Sequence, residues 1–156
     1  MSIDAIAESS ADSMSEAEMS DLLESEGVGT LAFATEDLPY LLPISFGYDG
    51  ESTLYFVFLL FGAESRKETL ANEAKRARFL TYRADSMYDW RSVSLAGRIE
   101  LLEEGEWAEL RSAMENAWHP NMFSAAHPTR GVEGYRFEIE EWSGIQQRDP
   151  GNSSAN

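Results

Sequence analysis

Apolar residues recur along this chain with two different periods, and the changes between them mark out its elements. Met19, Leu22 and Leu23 form a one-sided stripe at helical spacing, and Ser15 with Glu18 makes a capping box. A short helix is therefore predicted from Ser15 to about Glu26, stopped by Gly27. From Val28 to Thr35 the period drops to two, with Leu31 and Phe33 on one face; a polar Glu36-Asp37 turn then leads to Pro39, which predicts a hairpin. Tyr40 to Tyr48 is apolar enough for a core strand. It contains Pro43, which cannot donate to a ladder, so the strand must meet an edge, a bulge or a gap there. Asp49-Gly50 signals a turn, Leu54 to Phe61 reads as a buried strand, and Gly62 closes it.

A second capping box, Ser65 with Glu68, predicts a helix to about Asn72, and Arg76 to Arg83 returns as a strand. In Trp90 to Leu102 strict alternation puts Val93, Leu95, Ile99 and Leu101 on one face. Gly97 interrupts the run, which predicts a bulge or a close approach of another backbone, as where a barrel strand bends. Beyond Glu103 the helical period resumes with Trp107, Leu110, Met114 and Ala117 or Trp118, ending before Pro120. That helix is expected to cover a barrel end. Residues 119–133 read as a loop, and Tyr135, Phe137 and Ile139 alternate in a last strand.

Six strands, with helices confined to the start, one crossover and one late insertion, predict a mainly β (α+β) fold: an antiparallel barrel with peripheral helices rather than an alternating parallel sheet. With 156 residues and 43% hydrophobic content there is material for one core and too little for two. The expected organisation is a disordered, Ser-rich acidic lead over 1–13, one domain over 14–145, and a disordered polar tail over 146–156.

Charge narrows the function. A net charge of -16 repels nucleic acid and anionic membranes over much of the surface, so neither is an expected partner. The excess of 28 acidic over 12 basic residues resembles that of proteins from a salt-saturated cytoplasm, where ionic strength screens self-repulsion; the alternative is an ordinary acidic protein. With no cysteine, thiolate chemistry, disulfides and cysteine-bound metals are excluded. The longest dense apolar run, Leu54 to Phe61, is far too short to span a bilayer, so a cytoplasmic protein is expected.

Against that background Arg66 and Lys67 stand out. They fall in the first turn of a predicted helix, where the macrodipole already places partial positive charge, and a cation there is mildly unfavourable. Taken alone, the pair could simply answer the many acidic residues. Lys67 and Lys75 are the only lysines, however, so two adjacent cations are a concentrated exception. A phosphate held by the helix-terminal amides, the Ser65 hydroxyl and both cations would resolve the conflict.

Several short stretches together resemble the pyridoxamine 5'-phosphate oxidase-like family of FMN-binding split barrels. They are Val28-Gly29-Thr30-Leu31-Ala32, the run Pro39 to Phe46, Leu54-Tyr55-Phe56, Ser65-Arg66-Lys67, and Trp90-Arg91-Ser92-Val93 followed by Gly97-Arg98. The resemblance, to an acidic member of haloarchaeal type, implies a homodimer of six-stranded split barrels with FMN at the interface. It also implies Ser65, Arg66 and Lys67 on the phosphate, Pro43, Ile44 and Ser45 along the flavin ring, Val57 and Phe58 flanking it, and Ser92 and Trp142 as further ring neighbours. The activity implied is a flavin-dependent oxidoreductase with a small-molecule redox partner; the alternative is a non-catalytic module binding a flavin, a deazaflavin or haem.

The sequence also departs from the family. Many relatives carry a His after the Tyr-Phe pair, where Val57 and Phe58 stand here, and the vitamin-forming oxidases have a basic, His-containing motif near the C-terminus, where this chain reads Trp142 to Asp149 without one. Oxidation of pyridoxamine phosphate is therefore not expected, and no side chain is assigned as catalytic. His119 and His127 sit too far apart for one helical face and are expected to be solvated rather than metal ligands. No nucleophile elbow, P-loop or dinucleotide fingerprint is present.

Overall fold

The computed structural model describes residues 11–59, 74–114 and 132–148. Its elements are β1 (Asp12–Ser13), α1 (Glu16–Ser25), β2 (Val28–Phe33), β3 (Tyr40–Tyr48), β4 (Thr53–Leu59), β5 (Arg76–Ser86), β6 (Asp89–Leu101), a 3-10 turn (Glu104–Glu106), α2 (Trp107–Ala113) and β7 (Val132–Gln147). The sheet runs β1-β7-β4-β3-β2-β5-β6, all neighbours antiparallel, and β6 pairs back onto β7. Strands β2 to β7 thus close a six-stranded barrel, with β1 added outside. Among the described residues no helix is long and apolar enough to cross a membrane.

Alternation along each strand fills the barrel. Leu31 and Phe33 from β2, Phe46 from β3, Leu54, Phe56 and Phe58 from β4, Phe79 from β5, Val93 and Leu95 from β6, and Tyr135 and Phe137 from β7 are all buried in one cluster. Phe46 and Phe79 meet edge to face with centroids 4.9 Å apart, and the rings of Phe58 and Tyr135 lie tilted at 38° with centroids 4.6 Å apart. The first helix forms where its capping box predicts: Glu18 N–H donates to Ser15 Oγ, and Ser15 N–H to Glu18 Oε1. Its Met19, Leu22 and Leu23 join the barrel cluster.

Gly97 answers both halves of its expectation. The β6–β7 register shifts between Ala96 and Gly97, leaving Glu140 as the extra residue of a bulge. A Cβ at Gly97 would lie 2.0 Å from the Glu138 carbonyl oxygen, so only glycine lets the two backbones approach.

Four details depart from the sequence reading. Helix α2 does not cap a barrel end but lies on the outside of β4, where Trp107, Leu110, Ala113 and Met114 bury Tyr55 and Val57 in a second cluster. The last strand continues to Gln147, past the expected start of a polar tail at 146, because Gln146 and Gln147 are buried and bonded: Gln146 donates to Glu18 Oε2, and Gln147 accepts from the Trp90 indole. At the other end, Asp12 and Ser13 of the expected lead pair with Gln146 and Ile145. Leu101, placed on the inward face by alternation, is exposed at the last position of β6, where the strand has run past β5 and pairs with β7 alone. The predicted helix from Ser65, His119 and His127 lie outside the described residues.

Candidate functional site

The barrel is closed as a ring of strands yet split between β3 and β4. These two pair only where Phe46, Gly47 and Tyr48 face Phe56, Tyr55 and Leu54. Before that point β3 runs alongside β2 alone, from Tyr40 to Ser45. After it, Val57 to Leu59 of β4 runs alongside β7 alone. No described strand fills the fork.

The direction of the backbone groups at the fork follows from one hydrogen bond. Phe46 N–H donates to the Gly27 carbonyl at 3.0 Å, on the β2 side. Backbone groups alternate sides along a strand, so Ile44 turns to β2 as well, while Ser45 and Pro43 turn their groups into the split. Proline lacks an N–H at a position where no described strand would accept one. Of the three openings that Pro43 allowed, the structure has the gap: the Ser45 N–H and the carbonyls of Ser45 and Pro43 face it.

The expected site residues distribute around this fork as follows. Pro43 is exposed and Ser45 half-buried on the outer face, whereas the Ile44 side chain packs against the barrel cluster. Val57 lies under α2 and Phe58 inside the barrel, so what the end of β4 turns toward the split is backbone rather than these side chains. Ser92 is on the outer face of β6, between Tyr82 of β5 and Ile145 of β7. Trp142 is not with them: it stands opposite Leu95, and its ring meets Tyr48 edge to face at 6.4 Å. Ser65, Arg66 and Lys67 lie outside the described residues.

An outer-face feature was missed by the sequence reading. Register puts Pro43, Thr30, Leu80, Ser94 and Ser143 in one row across β3-β2-β5-β6-β7. Ser45 beside Val28, and Tyr82, Ser92 and Ile145 in line, flank it. Neither row holds a charged residue, although the chain carries -16 overall. Leu41 and Tyr82 on this face are 62% and 63% exposed. The signal was available in β5, where Phe79, Leu80 and Tyr82 are apolar or aromatic on both parities. A cleft of about 420 Å³ opens beside it, lined by Ala32, Phe33, Pro39, Arg78 and Glu141 and edged by Arg76, whose Nε bonds Glu140 at 3.2 Å.

Electrostatics elsewhere stabilise the frame. Arg136 donates to Glu106 at 2.6 Å and to Glu100 at 3.4 Å, joining β7 to β6 and the 3-10 turn. Burial, reinforced by the Glu109 carboxylate that its hydroxyl touches at 3.2 Å, pushes Tyr55 up to about 12. Among the described residues no group of three or more His, Cys, Asp or Glu converges as a metal site.

Comparison with known proteins bears on this geometry. The model of the family described as pyridoxamine 5'-phosphate oxidase matches residues 15–146. A search of curated proteins finds no match. Among solved structures, the fold is shared with an FAD-binding protein of Mesorhizobium loti at TM-score 0.68 and 22% identity, covering 87% of this chain and 97% of that one. It is shared with an FAD-binding protein of Mycobacterium smegmatis at TM-score 0.66 and 18% identity, covering 88% and 100%. A putative 5-nitroimidazole antibiotic resistance protein of Bacteroides thetaiotaomicron follows at TM-score 0.65 and 14% identity, covering 87% of each. With a family match over most of its length and a split barrel in the same arrangement, the chain belongs to the pyridoxamine 5'-phosphate oxidase family.

Proposed function

We propose that this protein binds FMN in the fork between β3 and β4 and works as a flavin-dependent oxidoreductase. The observation that carries the reading is the interrupted β3–β4 ladder, with the backbone groups of Pro43 and Ser45 turned into it. Ring nitrogens and carbonyls of a flavin suit unpaired backbone donors and acceptors, and a planar apolar ring suits the two uncharged rows of the outer face beside them. The FAD-binding proteins of the same fold support a flavin as the ligand. When bound, FMN supplies the electron transfer; the protein's part is to orient the ring and exclude water. Arg66, Lys67 and the Ser65 hydroxyl hold the phosphate, which selects FMN over riboflavin.

The same reading makes the protein a homodimer. A charge-free strip of Val28, Leu80, Tyr82 and Ile145 on a chain of net charge -16 is suited to a second copy of itself, which meets it without bringing charge against charge. Ser92 lies in that strip, so each copy's Ser92 is available to a ring held by the other.

A second reading has its own support. Pro43, Ile44, Ser45, Val57 and Phe58 include no titratable side chain, so nothing described at the fork can serve as acid or base. A carrier of flavin, deazaflavin or haem without turnover needs none. The test is titration of the purified protein with FMN, FAD, riboflavin and haem at several salt concentrations, followed by reduction with NADH or NADPH. The oxidoreductase reading expects FMN to bind at least about tenfold more tightly than riboflavin, with the preference abolished in the Arg66→Ala/Lys67→Ala variant. Bound FMN that no small-molecule donor reduces makes it a carrier; absence of flavin binding removes both forms.

A further inference from the structure

One end of the uncharged outer strip is charged, and its charge is opposite to that of a turn on the same chain. Arg76, Arg78, Leu80 and Tyr82 share the outer face of β5, because Ala77, Phe79 and Thr81 between them are buried. Register sets Arg98 of β6 beside Arg76, so three of the chain's 12 basic residues stand together on two neighbouring strands. Their local partners are weak. Arg76 and Arg98 make exposed ion pairs with Glu140 and Glu100, and Arg78 forms none among the described residues, its Nη1 reaching Ser94 Oγ at 3.4 Å. The β2–β3 turn holds the opposite sign: Glu36 and Asp37 are exposed there, and among the described residues neither forms an ion pair. We propose that a second copy of this chain packs on the outer face about a two-fold axis along the seam between β2 and β5, so that each copy's Glu36-Asp37 turn seats on the other's arginine cluster. This arrangement rests on the homodimer reading given above and specifies which surfaces of the two copies meet.

β2 and β5 are antiparallel neighbours, each with one further strand beside it on this face, β3 and β6. An axis in the contact plane, parallel to β2 and β5 and midway between them, exchanges β2 with β5 and β3 with β6. Row by row it sets large against small: Leu80 over the partner's Thr30, Arg78 over the partner's Ala32, and Leu41 over the partner's Ala96. Leu41 is 62% exposed, and Ala32 and Ala96 line the cleft of about 420 Å³, so the side chain left bare on one copy enters the hollow of the other. The β2–β3 turn follows Phe33, at the end of the sheet where β5 and β6 carry Arg76 and Arg98, so the same axis brings two acids over three arginines. An axis across the strands carries the arginines to the far end of the partner's face and leaves both signs unmatched. On chains of net charge -16 the match matters, since contact over most other surfaces sets acid against acid. Continued along the strands, the register also lays Ser92 over the partner's Ser45 at the fork.

Charge exchange between copies tests the arrangement without a flavin. Sedimentation velocity is run on the full chain, on Glu36→Lys/Asp37→Lys, on Arg78→Glu, and on an equimolar mixture of the two variants, at the lowest salt that keeps the parent folded. All three positions are exposed, so the substitutions leave the packing intact. Each variant alone brings like charges together at both contacts, and its self-association is expected to weaken at least about tenfold. In the mixture a reversed turn meets a reversed Arg78 position and a parent turn meets a parent one, so the dimer is expected to return. A monomeric parent overturns the homodimer reading and this arrangement with it. A dimeric parent whose variants both stay dimeric, or whose mixed variants fail to recover the dimer, overturns this arrangement alone.

Discussion

Removing the charge of Glu18 should loosen both ends of the chain at once. Its carboxylate closes the capping box of α1 through Oε1 and takes two further donors on Oε2, Gln146 Nε2 and an Arg148 guanidinium nitrogen, each at 2.6 Å. The Gln146 hydrogen bond first, then the Ser15 backbone N–H, with the Arg148 charge a smaller contribution, lower its pKa from 4.5 to about 2. At ~1.36 kcal/mol per pH unit the gap is worth ~3 kcal/mol at most. The Glu18 side chain is 31% exposed and Arg148 52%, so solvent screening brings the expected figure to ~1–2 kcal/mol. A depressed carboxylate stabilises the fold fully above its unfolded pKa and loses that contribution as pH falls through the folded one. Glu18→Gln, which keeps a capping-box side chain, should therefore be ~1–2 kcal/mol less stable in urea at pH 7. The difference should shrink between pH 4.5 and pH 2. Equal stability at pH 7, or a deficit that does not change with pH, would refute the clamp.

Three further outcomes follow from single contacts. Gly97→Ala drives a methyl group into the Glu138 carbonyl and should cost roughly 3 kcal/mol or prevent folding, seen as a lowered denaturant midpoint; a loss below about 1 kcal/mol would mean the two strands can separate freely. Pro43→Ala restores an N–H that faces the split rather than a ladder, so thermal unfolding should not rise and should fall by no more than the equivalent of ~1 kcal/mol, whereas a gain of ~1 kcal/mol or more would show that β3 has a ladder partner on that side. Tyr82→Glu places a charge in the uncharged outer strip and, on the proposal that the parent is a homodimer through that strip, should shift sedimentation toward monomer without unfolding the barrel; a monomeric parent, or a dimer unchanged by the substitution, would overturn that proposal.

The barrel could be read in the sequence because its signals are local. Ser15 with Glu18, Asp49 before Gly50, and the alternation of Leu31 with Phe33 or Val93 with Leu95 each state their structure within a few residues, and Gly50 indeed takes φ +88°. Pro43 told that β3 was interrupted without telling how, because whether β4 pairs beside it depends on where β4 diverges toward β7. The reach of β7 was hidden for a related reason: Gln146 and Gln147 are polar, and only partners over a hundred positions or tens of positions away, Glu18 and Trp90, make their burial favourable. Trp142 illustrates the limit of reading a ring from sequence, since register turns it toward Tyr48 and away from the outer face. Helix α2 was recognised by its stripe of Trp107, Leu110 and Met114, but a stripe does not say which surface it covers.

The account stands on the fork between β3 and β4 as a flavin site, and the visible absorption spectrum of the protein after incubation with FMN and removal of free ligand tests it most directly. A flavin band at one equivalent per chain, weakened in the Arg66→Ala/Lys67→Ala variant, is the expected result. A colourless protein at every salt concentration tried would contradict it.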